Sequence, residues 1–402
     1  MSLSPITPPR RPPVRPKIGA FTRFIVIPLL ILFAGVRLGM LWQKHLTPAP
    51  APAPVYPVNV DPLPVSAPPP PSPSPRRPTV EVSGSFQNNL YPSLILSFGT
   101  AYPTYARCLA FRVYGATPSA TLQVKVDSEL FTQPLVIAPP TGAVNFALSP
   151  DLPWNYDALR AIGQDRPESF VVTLLDGERA IAQQSVVCIV HAVNQVVTRV
   201  INPDTNQWQD TSVCIAAFVN EDSAEIPTIL REAMARGKID GFTGYEFGVP
   251  AVTAQVHAIW DALAARGLNY VNVSTMSSAT PGITTQSVRF VEQSLHDQGA
   301  NCVDASVLFA AILRKIGLRP VLVFKPGHCL VAVYDAAQGG QLLSIETTLL
   351  NSGSFSNAVT VGGEEFQASA PYFGQPDYSS VDIAFARQQG IVPIAAPVTT
   401  TP

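Results

Sequence analysis

Residues 299–317, GANCVDASVLFAAILRKIG, decide how the C-terminal half of this chain folds. Beyond Ser306 the stretch is apolar up to Arg314, and Gly317 then ends it. A helix that is apolar all round belongs in the interior of a domain, and a glycine just past the last turn is a common helix stop. The stretch therefore predicts a buried central helix over Cys302–Lys315, and that helix begins at a cysteine.

A thiol at the first residue of a helix lies where it can become reactive. The unpaired backbone N–H groups and the dipole of a helix N-terminus favour thiolate over thiol. The N–H of Cys302 itself is also a candidate oxyanion donor, because helix starts present such groups without further help. A cysteine on an apolar helix is nevertheless more often an inert core residue, so its assignment depends on partners elsewhere in the chain.

A histidine and a glutamate follow on two consecutive predicted strands, which bring them toward one another. The apolar patterning predicts strands at Arg319–Phe324, His328–Tyr334 and Leu342–Thr347. A five-residue hairpin loop after Tyr334 sets His328 directly opposite Glu346, where Cβ atoms lie about 5 Å apart. Together with Cys302, these residues supply a nucleophile, a base and an orienting carboxylate.

These motifs resemble the transglutaminase-like branch of the papain-like cysteine superfamily. The resemblance covers about residues 250–350 and rests on three segments: Asn301-Cys302-x-Asp304 through Arg314-x-x-Gly317, Gly327-His328, and Glu346-x-Thr348. It implies an α+β domain in which the cysteine-bearing helix packs on an antiparallel sheet, with Cys302, His328 and Glu346 as the triad. The family usually has aspartate at the third position, and it has tryptophan where Cys329 follows the histidine here.

The activity that this resemblance implies is thiol acyl transfer, by amide or peptide hydrolysis or by transamidation. The substrate would be a protein or peptide, a cell-wall peptide being one candidate, and no cofactor or metal is needed. Gln286, placed on a predicted helix over Gln286–Asp297, is a candidate oxyanion donor like the glutamine of papain-like enzymes; a surface polar position is an equally good interpretation. The alternative function is an inactive binding or scaffold module that keeps the fold.

A metal site is a further alternative for the same residues. Cys302, His328, Cys329 and Glu346 are all potential ligands, but successive residues of a regular strand point to opposite faces. Cys329 would thus point away from His328, and only three ligands would converge. The other histidines, among them His191, His257 and His296, have no evident partner in the sequence and receive no chemical role.

Charge and composition single out the N-terminal end. Residues 1–60 hold seven basic side chains and no acidic one, whereas the whole chain has 26 basic against 28 acidic residues. Phe24–Trp42 is apolar apart from Arg37 and would span roughly 28 Å as a helix, about the thickness of a bilayer core. The basic flank predicts a cytoplasmic N-terminus and an uncleaved single-pass anchor in the inner membrane of a bacterial-type envelope. A cleaved signal peptide is the alternative.

Proline marks the next segment, since 21 of the chain's 41 prolines fall in residues 1–78. Such a segment favours an extended polyproline spacer, which would hold extracytoplasmic domains away from the membrane. The net charge of −2 gives no indication of nucleic-acid binding. The predicted organisation is a basic cytoplasmic tail (1–23), a transmembrane anchor (24–42), a Pro/Ala-rich disordered linker (43–78), a β-sandwich-like domain (79–199), a transglutaminase-like domain (200–385) and a flexible tail (386–402).

The β-sandwich prediction rests on short segments of period-two alternation, which is typical of half-buried strands. The alternating sets are Val80/Val82, Leu94/Leu96/Phe98, Leu109/Phe111/Val113 and Leu122/Val124/Val126, followed by Phe170–Leu175 and Val186–Val193. Cys108 and Cys188 lie on two of these strands. They could form a disulfide if the domain is exported, and two buried thiols are an equally good interpretation.

Overall fold

The computed structural model describes residues 78–98, 107–140, 142, 144–202, 206–271, 276–277, 280–375 and 377–397. All of them belong to one compact unit. The predicted cytoplasmic tail, the anchor over 24–42 and the linker as far as residue 77 lie outside the described residues. Within the described ranges, no helix is both long and apolar enough to cross a membrane.

The fold is α+β, with strands arranged in several sheets. The strands are β1 (Thr79–Gly84), β2 (Asn89–Leu90), β3 (Leu109–Tyr114), β4 (Leu122–Asp127), β5 (Leu135–Ile137), β6 (Phe146–Leu148), β7 (Arg166–Asp176), β8 (Arg179–Val190), β9 (Gln195–Asn202), β10 (Gln207–Asp210), β11 (Asn269–Tyr270), β12 (Met276–Ser277), β13 (Ile283–Ser287), β14 (Gly299–Ala300), β15 (Pro320–Lys325), β16 (His328–Tyr334), β17 (Leu342–Ile345) and β18 (Ser379–Asp382). The helices are α1 (Pro92–Phe98), α2 (Tyr156–Arg160), α3 (Ile226–Ala235), α4 (Gly248–Ala265), α5 (Val291–His296), α6 (Cys302–Lys315), α7 (Phe355–Ser369) and α8 (Ile383–Gln388).

Two sheets of the N-terminal region share one hydrophobic core. A three-stranded sheet has the order β1-β3-β6, and a five-stranded sheet has the order β2-β8-β7-β4-β5. Every second residue of β3 and β4 is buried, as the period-two pattern predicts. Phe111 of one sheet and Phe170 of the other belong to the same cluster of buried side chains. The alternation therefore reflects strands of two sheets whose buried side chains belong to one core.

One of the predicted strands is wrong, because Leu94, Leu96 and Phe98 lie on helix α1. Pro92 is its first residue, where the fixed φ of proline favours a helix and the missing N–H costs nothing. Leu94 and Ile95 are both buried, which a regular strand with one solvent face does not allow. In so short an apolar run the period-two reading and the helical reading fit equally well.

The sheet β10-β9-β13-β12 joins the two halves of the described chain. Strand β9 pairs antiparallel with β13, with Val196 opposite Gln286. The predicted domain boundary at 199/200 thus falls inside β9, and strands from both sides of it share hydrogen bonds. The helix predicted over Gln286–Asp297 is wrong in its first part, since β-branched residues at 283–285 extend as β13 and α5 begins only at Val291.

The C-terminal half surrounds the central helix α6, which occupies the range predicted from its sequence. Helix α6 packs against β15 and β16 of the antiparallel sheet β17-β16-β15-β18, and α7 packs against β17. Leu330 and Ala332 cluster with Phe366 of α7 on one face of this sheet. Val331 and Val333, the alternate residues of β16, are buried as well, so the sheet has apolar cover on both faces.

The end of the chain differs from the flexible tail predicted over 386–402. Helix α8 runs through residue 386, and Ile391 and Ile394 beyond it are buried. The backbone N–H of Val392 donates to Ser97 O at 3.2 Å, and that of Ile394 donates to Ala217 O at 2.8 Å. The described part of this segment, as far as residue 397, is therefore packed onto the fold.

Cys108 and Cys188 are both buried thiols in this structure. Burial raises the pKa of both thiols, that of Cys188 to about 11. The nearby charge of Cys188 adds to the rise at Cys108, and the charge of Glu168 adds to the rise at Cys188. A disulfide between them in an exported protein stays a prediction.

Candidate active site

The N-terminus of α6 is fixed by a reciprocal cap. Asn301 Oδ1 accepts from the N–H groups of Val303 and Asp304, at 2.9 Å each, and Asp304 Oδ2 accepts from Asn301 N at 3.2 Å. This is the capping-box arrangement, which satisfies N–H groups that a helix start leaves over. The cap does not use the N–H of Cys302, the first residue of the helix. Cys302 is partly exposed, whereas the four other cysteines are buried.

The same carboxylate ties a second segment to the helix start. Asp304 is 1% exposed and accepts from Arg289 N at 2.8 Å and from Arg289 Nη1 at 2.9 Å. A buried carboxylate is stable only when its oxygens are paired in this way. Asp304 therefore holds the loop before α5 against the turn that carries Cys302, which accounts for the aspartate of the Asn-Cys-x-Asp motif.

His328 is the first residue of β16 and lies between a thiol and a carboxylate. Its Nε2 is 2.7 Å from Glu346 Oε2, and its ring also hydrogen-bonds the side chain of Cys302. Burial by itself lowers the pKa of this imidazole. The hydrogen bonds and negative charge of Cys302 and Glu346 outweigh burial and raise the pKa to about 10. The ring is thus held as an imidazolium at neutral pH.

Glu346 is oriented by the turn that follows β17. Its Oε1 accepts from the N–H of Thr348 at 3.0 Å and from the hydroxyl of the same residue, while Oε2 accepts from His328. The side chain is only 4% exposed, and burial acts to raise its pKa. The hydrogen bonds from His328 and Thr348 reverse that effect, so the pKa is lowered and the group stays ionised.

The strand register that was predicted for this pair is wrong by two residues. Tyr334 lies opposite Leu342 rather than Gly340, and Asp335 N donates to Gln341 O across a loop two residues longer than expected. Strand β17 ends at Ile345, which pairs with Val331, so Glu346 lies just past the ladder. It reaches His328 because the chain turns there into the short 3₁₀ helix Thr347–Leu349, which Glu346 itself caps.

Gln286, the predicted oxyanion donor, lies on strand β13 instead of a helix. It is buried, and its Nε2 donates to Ser287 O at 2.9 Å. The structure therefore brings Cys302, His328 and Glu346 together, and it gives Gln286 a backbone partner on its own strand. The role of Gln286 as an oxyanion donor stays a prediction.

Several residues near the imidazole were not predicted from the sequence. Glu365 Oε2 lies 3.4 Å from His328 Nε2, and Glu365 Oε1 lies 3.0 Å from Lys325 Nζ. Burial raises the pKa of Tyr270, and the nearby charges of Cys302 and Glu346 raise it further. Only the Glu364-Glu365 pair on an otherwise mostly uncharged helix could have drawn attention to this side of the site.

A cavity of about 370 Å³ adjoins the site on the side of α7. Its lining residues are Lys325, Glu364, Glu365, Ala368, Ser369 and Tyr378. Because Glu365 both lines this cavity and approaches His328, the imidazole side of the site is adjacent to a space large enough for part of a substrate.

The side chains that could hold a metal ion differ from the predicted set. One ligand atom each from His328, Glu346 and Glu365 lies within 4.8 Å of the others. Cys329 is not one of these three residues: it is fully buried, its Sγ lies 3.8 Å from Leu330 O, and burial together with the nearby charge of Cys302 raises its pKa. Its position on the opposite strand face agrees with the alternation expected of β16.

Comparisons with known proteins found a weak structural similarity. No family model matches the chain, and no curated protein matches it. Among solved structures, it is similar to the crystal structure of red sea bream transglutaminase at 9% sequence identity and a TM-score of 0.19. The match covers 68% of this chain and 53% of that one, so the chain spans about half the length of this solved relative. This weak resemblance carries no evidence on activity.

Proposed function

We propose that the chain is a cysteine-dependent acyl-transfer enzyme in which Cys302 is the nucleophile, His328 shuttles the proton and Glu346 orients the imidazole. One observation carries this proposal: a single imidazole hydrogen-bonds a partly exposed thiol at a helix start and, at 2.7 Å, a buried carboxylate. Nucleophile, base and orienting group within hydrogen-bond reach are what covalent acyl transfer requires.

The two half-reactions follow from these positions. The sulfur of Cys302 forms a bond to the carbonyl carbon of an amide or ester, and the carbonyl electrons move onto oxygen. When the tetrahedral intermediate collapses, the bond from carbon to the leaving group breaks and His328 gives its proton to that group. Water or an amine then attacks the thioester, its proton passes to His328, and the thiolate leaves.

The N–H of Cys302 is the proposed donor for the oxyanion. It belongs to the first residue of α6, the Asn301 cap does not use it, and the helix dipole adds positive potential at the same point. Gln286 remains the second proposed donor. The cap and the Asp304–Arg289 pairing keep this N–H in place without reorganisation during the reaction, which is how preorganised donors contribute to the rate.

The substrate class and the cellular location belong to the same proposal. The partly exposed thiol and the adjoining cavity suit a protein or peptide carbonyl group, with hydrolysis and transamidation both open, and a cell-wall peptide is one such substrate. The apolar run 24–42 behind a basic flank supports a membrane-anchored protein of the cell envelope. A phosphatase fused to the C-terminus should be active in the periplasm, and an inactive fusion would overturn the envelope location.

Labelling of the full-length chain tests the chemistry directly. Iodoacetamide at pH 6 should alkylate Cys302 well before the four buried cysteines, as read by peptide mass spectrometry, and a thiol-reactive acyl probe should form a thioester at the same residue. Cys302→Ser should remove both products, whereas Cys329→Ser, a buried thiol one residue from His328, should keep them. If Cys302 reacts only after denaturation, the domain is a scaffold and the enzymatic proposal is wrong.

A further inference from the structure

The carboxylate of Glu365 approaches the same imidazole nitrogen that Glu346 binds. Glu365 Oε2 lies 3.4 Å from His328 Nε2, which donates its hydrogen bond to Glu346 at 2.7 Å. Glu365 comes from α7, whereas Glu346 follows β17, so two separate elements each supply an acid to one ring nitrogen. The triad deduced from the sequence contains only the first of them.

The close packing of α7 on β17 explains why Glu365 reaches the ring. A Cβ on Gly362 would lie 2.7 Å from Ile345 N and 2.8 Å from Glu346 N, so only glycine permits this approach. Glu365 is three residues further along the helix and therefore lies on the same face. The packing that holds the backbone of Glu346 in place also directs Glu365 toward His328.

The surroundings of Glu365 leave one of its oxygens dependent on the imidazole. Oε1 pairs with Lys325 Nζ at 3.0 Å, but Oε2 is buried and meets no hydrogen-bond donor among the described residues. A buried carboxylate oxygen without a donor is unfavourable unless a positive charge lies nearby. The protonated ring of His328, whose Nε2 lies 3.4 Å from Oε2, supplies such a charge.

We propose that Glu365 is a second carboxylate acting on His328, a positioning residue that stabilises the imidazolium and holds the ring toward Cys302. This role deepens the proposed function, on which its kinetic part rests. The groups that face the ring come from every neighbouring element: Cys302 from α6, Glu346 after β17, Glu365 from α7 and Lys325 from β15. Tyr270 of β11 lies near Cys302 and Glu346.

The positive charge of Lys325 opposes the effect of Glu365 on the imidazole of His328. Lys325 is the cross-strand partner of His328 in the β15–β16 hairpin, and its Nζ pairs with Oε1 of Glu365. The pair Lys325–Glu365 is about one quarter exposed and lines the cavity beside the site. A change at Lys325 should therefore act on the imidazole in the direction opposite to a change at Glu365.

Histidine titration by NMR in the full-length chain, labelled with ¹³C at its five histidines, tests the inference without needing turnover. The signal of His328 is assigned from its absence in His328→Gln. Glu365→Gln should lower the pKa of His328 by about one unit, the size expected for an opposite charge a few ångströms away. Lys325→Met should raise it. Glu364→Gln, which alters an acid of the same helix and cavity, is the matched control and should leave it in place.

The kinetic arm uses the rate of thioester formation at Cys302 against pH, because the leaving group takes its proton from the imidazolium of His328. In Glu365→Gln the rate should begin to fall at a lower pH than in the wild type, and Glu365→Asp should restore part of the difference. If Glu365→Gln and Glu364→Gln leave the pKa of His328 equally unchanged, Glu365 has no positioning role and the inference is overturned. If that pKa falls but no acyl-enzyme is ever formed by the wild type, the inference on Glu365 stands and the proposed enzymatic function fails.

Discussion

Two histidine–carboxylate pairs of the same length lie in different parts of this fold. His328 Nε2 is 2.7 Å from Glu346 Oε2 beside the central helix, and His191 Nδ1 is 2.7 Å from Asp165 Oδ2 at the end of β8. His191 also uses its second nitrogen and its ring face: Nε2 is 2.9 Å from Asn89 Oδ1, and the ring stacks on Tyr91 at 4.4 Å. The two pairs have the same length but differ in their surroundings.

The two pairs differ in the exposure of the carboxylate and in the second partner of the imidazole. The side chain of Asp165 is 50% exposed, whereas that of Glu346 is 4% exposed and held by Thr348. A solvated pair contributes little, because water screens its charges. The second partner of His191 is an amide oxygen, while that of His328 is a thiol at a helix start. A histidine–acid contact is therefore no evidence for catalysis until a nucleophile and a buried, oriented acid accompany it.

The largest expected effect separates the two histidines. His328→Ala should slow the alkylation and acyl transfer of Cys302 by about 10²–10⁴-fold, the usual contribution of a positioned proton-transfer group. His191→Ala should leave the rate within about twofold of wild type, because its ring touches no part of the site. Quenched time courses of alkylation and of thioester formation in the two full-length variants measure these rates.

Circular dichroism on both variants checks that folding is intact. A His191→Ala variant that lost acyl transfer while folded would mean that the N-terminal sheets participate in the reaction. Equal rates in His328→Ala and the wild type would remove the base from the proposed mechanism.

The next effect concerns the acids and depends on pH. The pKa of His328 is raised from 6.5 to about 10. Its pairing therefore contributes fully to the free energy of unfolding below about pH 6.5, and that contribution is lost as the pH rises through about 10. Glu346→Gln removes a charge that raises this pKa, so the basic limb of the rate should move to lower pH, with a loss of about tenfold to hundredfold at pH 8. A pH series of thioester-formation rates, in which the imidazolium must protonate the leaving group, measures the shift of the limb and the loss at pH 8.

Asp165→Asn is the matched control in the other pair. It should shift neither limb of the profile and should change the free energy of unfolding by at most about 1 kcal/mol, since its carboxylate is half exposed. The same basic limb in Glu346→Gln and in the wild type would show that Glu346 does not act on the proton of His328.

The sequence predicted the central part of this site because its signals are local. The apolar run after Cys302, the Gly317 stop and the Pro326-Gly327 turn each act within a few residues, and α6 and β16 have the predicted bounds. The contact between His328 and Glu346 was anticipated from an incorrect register, because a hairpin loop length is set by turn geometry that its residues did not reveal.

The parts that failed depend on distant packing. Residues 283–287 pair with β9, almost ninety positions earlier, and that pairing overrides any local helical tendency before α5. The role of Glu365 could not be predicted from the sequence, because its approach to His328 requires the contact of Gly362 with the backbone of Ile345 and Glu346. A single glycine inside a helical pattern gives no indication of which strand the helix meets.

The smallest effect tests that contact with two neighbouring glycines of α7. A Cβ at Gly362 would approach backbone atoms of β17 to 2.7 Å, whereas one at Gly363 would meet nothing within 4 Å. Gly362→Ala should therefore lower the free energy of unfolding by about 1–3 kcal/mol, the usual cost of overpacking, and slow Cys302 alkylation severalfold by displacing Glu346 and Glu365. Gly363→Ala should raise the free energy of unfolding by about 0.5–1 kcal/mol, because alanine favours a helix, and leave the rate unchanged. Urea titrations of both variants measure this difference, and equal stabilities would show that α7 does not press on the strand that carries the acid.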